Sequence, residues 1–264
     1  YLLSTHLMDF KDKVVIITGA STGIGRDTAI EFAKLNAVCI LVSRNKEKLD
    51  RTASQVAGWS KRSISIACDV SNPAQVKKMV EDVITKFKKV DILINNAGYG
   101  MYKSLHDSSI DEIRDQINTN YYGVVTCTKE VLPFMIKQQS GSIVNISSIV
   151  GKVAFGNFNA YCASKFAVAG MSESLWYELK PKGINVHVIY PGRINTNFFD
   201  HSSFPAFKKT KSGLNPKKVA NAIIKAINKD KFETFIPIKG KFIYFFRVLL
   251  PKIFMKTVAK KQVV

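Results

Sequence analysis

Apolar residues recur along the chain as short runs that alternate with longer amphipathic stretches. Val14-Val15-Ile16-Ile17 is a compact β-branched run, and Val38 to Val42, Ser63 to Ala67, Val90 to Ile94 and Ile143-Val144-Asn145-Ile146 repeat the type. Runs of this kind predict buried strands. The stretches between them predict helices: Arg26 to Leu35, Asn72-Pro73 to about Lys86 with proline in the first turn, about Thr119 to Gln138, Tyr161 to Leu179, and Pro216 to Asn228. A final strand is expected at Phe232 to Ile236. Strands alternating with helices predict an α/β architecture, a doubly wound parallel sheet of about seven strands with helices on both faces. Residues 8–238 are expected to form that single domain, and residues 239–264 a basic, apolar tail.

Glycines and polar residues gather where the expected strands end. Gly19, Ser21, Thr22, Gly23, Ile24 and Gly25 lie between the first strand and the first helix. Strand, glycine-rich turn and helix in that order make a dinucleotide phosphate site. Glycine lets backbone approach the pyrophosphate, and the helix start presents free N–H groups. The second strand ends in Ser43-Arg44. An acid there would bind the ribose hydroxyls of NAD, whereas a cation suits a 2′-phosphate, so NADP(H) is expected over NAD(H). The plainer reading of Arg44 is a solvated surface arginine.

Ser148 follows the fifth strand, and Tyr161 and Lys165 stand four residues apart on one face of the next helix. A phenol titrates near 10, and an adjacent ammonium lowers that value by stabilising the phenolate. A phenol tuned this way exchanges a proton with an alcohol or carbonyl oxygen. Ser148 can hydrogen-bond the same oxygen. Tyrosine and lysine at this spacing are common on helices, so the pair gains meaning only from the motifs around it.

Thr18-Gly19 with Gly23 and Gly25, Asn95-Asn96-Ala97-Gly98, Ser148, Tyr161 to Lys165, and Pro191-Gly192 resemble, in order and spacing, the short-chain dehydrogenase/reductase family. The resemblance runs from about Phe10 to Ile238. It implies a Rossmann fold and an NAD(P)-dependent enzyme that interconverts alcohols and carbonyls. It implies that Asn120, in Asn118-Thr119-Asn120 and three residues before Gly123, anchors a water in a proton relay. It places Asp69 and Val70 near the adenine, Asn95 near its ribose, and Ala97 and Gly98 beside the cofactor. Pro191, Gly192, Ile194 and Thr196 fall at the nicotinamide end, where Lys165 would hold the nicotinamide ribose. It also implies a homodimer or homotetramer through the Thr119–Gln138 and Tyr161–Leu179 helices.

The expected reaction is hydride transfer to a small-molecule ketone, apolar or lipid-like, with Tyr161 as general acid/base. An aromatic-rich loop from Asn197 to Phe207 is expected to close over the substrate, with Tyr99, Met101, Phe155 and Phe158 completing an apolar pocket. A 3-oxoacyl-thioester reductase is an alternative. An NADP(H)-binding regulatory or nucleic-acid-binding protein is another. Intact Asn120, Ser148, Tyr161 and Lys165 argue against the latter, and nucleic acid is not expected as a partner.

Composition adds three points. Hydrophobic residues are 46% of 264, enough for a large core, and the four cysteines lack metal-ligand spacing, as expected of reduced thiols in a cytoplasmic protein without a metal site. Met8 is read as the natural start. Of the net charge of +19, His201 to Val264 carries +13. Between Lys239 and Lys261, seven Lys/Arg and no acid punctuate bulky apolar residues, so the tail either meets an anionic membrane peripherally or packs on the fold.

Overall fold

The computed structural model describes residues 9–196, 198, 202–204 and 213–262. Met8, and Asn197, Phe199, Asp200, His201 and Pro205 to Phe207 of the expected closing loop, lie outside the described residues. The strands are β1 (Val14–Thr18), β2 (Val38–Ser43), β3 (Ile64–Ala67), β4 (Ile92–Asn95), β5 (Gly141–Ile146), β6 (Ile184–Pro191) and β7 (Glu233–Ile236). They pair in parallel as one sheet in the order β3-β2-β1-β4-β5-β6-β7. The chain winds outward in both directions from the β1–β4 seam, the place where α/β sheets open a crevice beyond their strand tips.

Helices cover both faces. On one lie α1 (Gly23–Lys34), α2 (Lys46–Ala57) and α7 (Pro216–Asn228). Val15 and Ile17 point that way and pack among Phe32, Leu49, Val219 and Ile223. Val14 and Ile16 point the other way, toward α3 (Pro73–Phe87) and α5 (Gly123–Gln138), among Val76, Met79, Val83, Val131 and Met135. Strands apolar on both sides are what a doubly covered parallel sheet requires.

Two helix starts differ from expectation by three residues or more. The first helix begins at Gly23 rather than Arg26, so the glycine turn runs straight into its first turn. The long helix expected from Thr119 begins at Ile110, as α4 (Ile110–Ile117). Ser109 starts it: its hydroxyl accepts from the Glu112 N–H while the Glu112 carboxylate accepts from the Ser109 N–H. A π-helical turn, Asn118–Tyr122, then joins α4 to α5. Beyond β7 the tail forms α8 (Lys239–Leu249) and α9 (Pro251–Gln262), and among the described residues no helix is long and apolar enough to cross a membrane.

Candidate active site

Beyond the tips of β1, β4, β5 and β6 lies a cavity of about 830 Å³. The glycine turn forms one wall through Gly19, Ser21, Thr22, Gly23 and Ile24. Gly19 and Gly23 have φ of +66° and +58°, a backbone that L side chains rarely adopt. Gly25 does not line the cavity but sits close against the turn: a Cβ there would lie 2.3 Å from the Gly19 carbonyl oxygen. The N-cap, Thr22, makes no side-chain cap, so the start of a 12-residue helix meets the cavity with its dipole and N–H groups. This wall fits a pyrophosphate.

At one end of the cavity stand Arg44, Asp69 and Val70, together with Lys48, which sequence reasoning missed. Arg44 reaches Asp69 at 3.8 Å, and the Ser43 hydroxyl donates to Ser21 Oγ at 2.9 Å. Lys48 lies in the first turn of α2, and its sequence signal is weak because a lysine there also suits a solvated helix face.

The floor is set by the Asn95-Asn96-Ala97-Gly98 segment, but not as expected. Ala97 and Gly98 line the cavity; Asn95 does not. Asn95 is buried, and its Nδ2 donates to Thr128 Oγ1 at 3.0 Å and to Asn145 Oδ1 at 2.9 Å. It ties β4 to α5 and β5. Asn96 faces the glycine turn instead: its Nδ2 donates to the Thr18 and Gly19 carbonyls at 2.9 and 3.3 Å. Thr18 Oγ1 accepts from the backbone N–H of Asn96 and of Ala97. The second asparagine of the motif, rather than the first, therefore fixes the shape of the phosphate wall.

At the other end Ser148, Tyr161 and Lys165 meet, with Pro191, Gly192, Ile194 and Thr196 opposite. Ser148 follows β5, while Tyr161 and Lys165 sit one turn apart on α6 (Asn159–Leu179). Lys165 Nζ donates to the Ile146 carbonyl at 2.8 Å and lies 5.8 Å from the centre of the Tyr161 ring. Burial pulls the Lys165 ammonium down to about 8. Burial also pushes the Tyr161 phenol above its ordinary value, while the Ser148 hydroxyl pulls the other way. Sequence reasoning expects Lys165 to lower the phenol; burial acts in the opposite direction, and the ammonium stands 5.8 Å from the ring centre.

Asn120 is fully buried in the π-helical turn and does not line the cavity. Its Oδ1 accepts from the Tyr99 N–H at 3.0 Å, and its Nδ2 donates to the Tyr99 carbonyl at 2.8 Å and to Ser164 Oγ at 3.1 Å. The amide thus clamps the loop after β4 to α6, one residue before Lys165. Gly98 allows the approach, since a Cβ there would lie 2.9 Å from Asn120 Oδ1 and 3.6 Å from Lys165 Nζ.

The expected apolar pocket forms in part. Tyr99, Phe158 and Phe198 line the cavity; Phe155 does not, and Met101 is buried. Ring centres of Tyr161 and Phe198 are 5.3 Å apart, and Phe204 stands 5.9 Å from both Phe158 and Phe198. An aromatic wall therefore faces the phenol.

A family model described as short chain dehydrogenase matches residues 13–204. Dehydrogenase/reductase SDR family member 7B of Mus musculus is 32% identical over 266 residues, covering 95% of this chain and 81% of that protein. The 3-ketodihydrosphingosine reductase of Bacteroides thetaiotaomicron is 34% identical over 235 residues, covering 81% of this chain and 83% of its own length. Among solved structures, a short chain dehydrogenase/reductase from Burkholderia phymatum in complex with NAD matches with a TM-score of 0.85 and 27% identity, covering 91% of this chain and 94% of the other.

Proposed function

This chain belongs to the short-chain dehydrogenase family, and from that premise we propose that it is an NADPH-dependent reductase of apolar, lipid-like ketones. The observation that carries the proposal is the meeting of Ser148, Tyr161 and Lys165 beside an aromatic wall, in the same cavity as the glycine turn. A bound nicotinamide dinucleotide would supply the hydride. The glycine turn and the start of α1 would hold its pyrophosphate. Asp69 and Val70 would flank the adenine, and Pro191, Gly192, Ile194 and Thr196 would border the nicotinamide.

Preference for the 2′-phosphate rests on Arg44 and Lys48, two cations at the Ser21–Ser43 hydroxyl pair, with no acid at the end of β2. Asp69, 3.8 Å from Arg44, tempers the charge of that cation.

Tyr161 Oη is the proton donor to the substrate oxygen. A phenol is neutral at pH 7, the form that donates the proton reduction consumes, and burial favours that form further. Ser148 Oγ orients the oxygen. Lys165, buried at one turn's distance, supplies positive charge beside the phenol and the nicotinamide ribose. Asn120 acts as a positioning residue: by clamping Tyr99 and Ser164 it fixes the loop and helix that carry the site.

The lipid-like substrate is supported by Phe158, Phe198 and Phe204 around the phenol and by the likeness to a protein named for a ketone of a long-chain base. Cytoplasmic exposure of the site and homo-oligomerisation through α5 and α6 belong to the same reading. Outward-facing Ile136 on α5 and Phe166 on α6 support the second. The test is NADPH consumption over ketones of graded chain length. Catalytic efficiency is expected to rise with chain length until the pocket is filled. Failure to oxidise NADPH with any carbonyl would refute the proposal.

A further inference from the structure

The helix pair α8–α9 inverts the usual distribution of apolar side chains. Of the 18 large apolar side chains exposed among the described residues, nine lie between Phe242 and Met255. Phe242 is 68% exposed and Leu249 74%, and on α8 they stand at i and i+7 with exposed Phe245 at i+3, one helical face, while Ile253 and Met255 are exposed on α9. A strip of this size at a soluble surface marks a contact with something else.

The strip stands on a firm base. Gly240 is buried, and a Cβ there would lie 3.2 Å from Ile149 Cδ1, in the loop that follows Ser148. Tyr244 stacks on Phe235 of β7, and Lys152 Nζ sits 5.4 Å over the Tyr244 ring while pairing with Glu233 at 2.8 Å. Phe254 is buried edge-on to Phe246, with ring centres 5.7 Å apart, which joins α9 to α8. The inward faces of both helices are thus satisfied, and the outward face is left bare.

Charge identifies what covers it. Seven Lys/Arg and no acid fall between Lys239 and Lys261. Cores of protein–protein interfaces are depleted in lysine. Two copies meeting through this face would oppose equal positive charge. An anionic bilayer surface satisfies both features, since acyl chains take the apolar strip and lipid headgroups take the cations. Helices of 11 and 12 residues are too short to span a bilayer and lie in its plane.

We propose that α8–α9 is a docking surface for an anionic lipid bilayer. The test is co-sedimentation of the full chain with phosphatidylcholine vesicles, with and without phosphatidylserine. The protein is expected to pellet with the anionic vesicles and to be released by high salt. The triple change Lys241→Ala, Lys252→Ala and Lys256→Ala should weaken partition by about a hundredfold. The pair Phe242→Glu and Leu249→Glu should abolish it, with thermal unfolding unchanged because both side chains face outward. The readout is partition rather than turnover, so it stands or falls apart from the reductase proposal. Equal binding to neutral vesicles, no binding, or binding indifferent to both sets of changes would overturn it. So would light scattering in which Phe242→Glu and Leu249→Glu split an oligomer, since that assigns the face to a second copy.

Discussion

The cleft wall and the C-terminal helix pair depart from the usual placement of side chains in opposite directions. At the cleft Ser148 and Lys165, and just behind it Asn95 and Asn120, are polar and buried. Along α8–α9, Phe242, Leu249 and their neighbours are apolar and exposed. Burying polar groups is unfavourable unless they are partnered, and most of these are: Asn120 uses both ends of its amide, Lys165 donates to a carbonyl, and Asn95 donates twice while its Oδ1 is left without a partner. The tail partners only its inner face. A buried polar cluster held together by its own hydrogen bonds is arranged to act on something small that enters it. A bare apolar strip among cations is arranged to meet something large from outside.

The comparison is tested most severely at Lys165, where the demands of folding and of chemistry oppose each other. The Lys165→Met protein is expected to lose about 10³-fold in turnover and to become more stable near pH 7. Below pH 8 the unfolded lysine and the folded one are both charged, and the buried charge is unfavourable on the order of 3 kcal/mol. From about 8 to the ordinary 10.5 the folded lysine has lost its proton and the unfolded one has not. Wild-type stability therefore gains through that window and the variant's advantage shrinks. Thermal unfolding at pH 7 and pH 10 checks it; a variant less stable at pH 7 would show the burial of Lys165 to be favourable.

At the phosphate wall, Gly25→Val pushes a side chain toward the Gly19 carbonyl, 2.3 Å from where a Cβ would stand. Nucleotide affinity should fall about a hundredfold, with a loss of about 1–3 kcal/mol in stability. Isothermal titration would show it. The double change Arg44→Ala and Lys48→Ala should reduce the preference for NADPH over NADH about tenfold to a hundredfold, mainly by raising KM for NADPH. An unchanged ratio of kcat/KM for the two nucleotides would remove both cations from the 2′-phosphate site.

The smallest effect concerns His187, a buried residue remote from both regions. Burial lowers its pKa, opposed by a hydrogen bond to the Lys231 carbonyl and by Asp230, while Lys180 lowers it further. The folded state therefore disfavours its charged form. As pH falls through the ordinary value of 6.5 the unfolded chain takes up the proton first, and stability declines by at most about 1.4 kcal/mol per pH unit. His187→Asn should flatten unfolding temperature between pH 7 and pH 5.

Strand periodicity made the sheet legible, because β1, β2 and β4 are apolar on both faces and have no competing helical reading. The ends of elements were less so. Ser109 and Glu112 spell a helix start, yet the polar stretch around them hid it, and the π-helical turn has no periodic signature. Motif reading brought Ser148, Tyr161 and Lys165 to one place but could not tell which asparagine of the Asn95–Asn96 pair faces the glycine turn. That choice depends on strand register, and adjacent residues on a strand point to opposite faces. Nor could spacing give the phenol's pKa, which depends on burial.

The central claim is that the Tyr161 phenol transfers a proton in a cleft where the glycine turn and other residues supply most of the hold on the nucleotide. Its most direct test is to titrate the Tyr161→Phe protein with NADPH by fluorescence and to measure its turnover on the best ketone from the chain-length series. Affinity within about twofold of wild type, with turnover down about 10³-fold, is the predicted result. Turnover like that of wild type would contradict the claim.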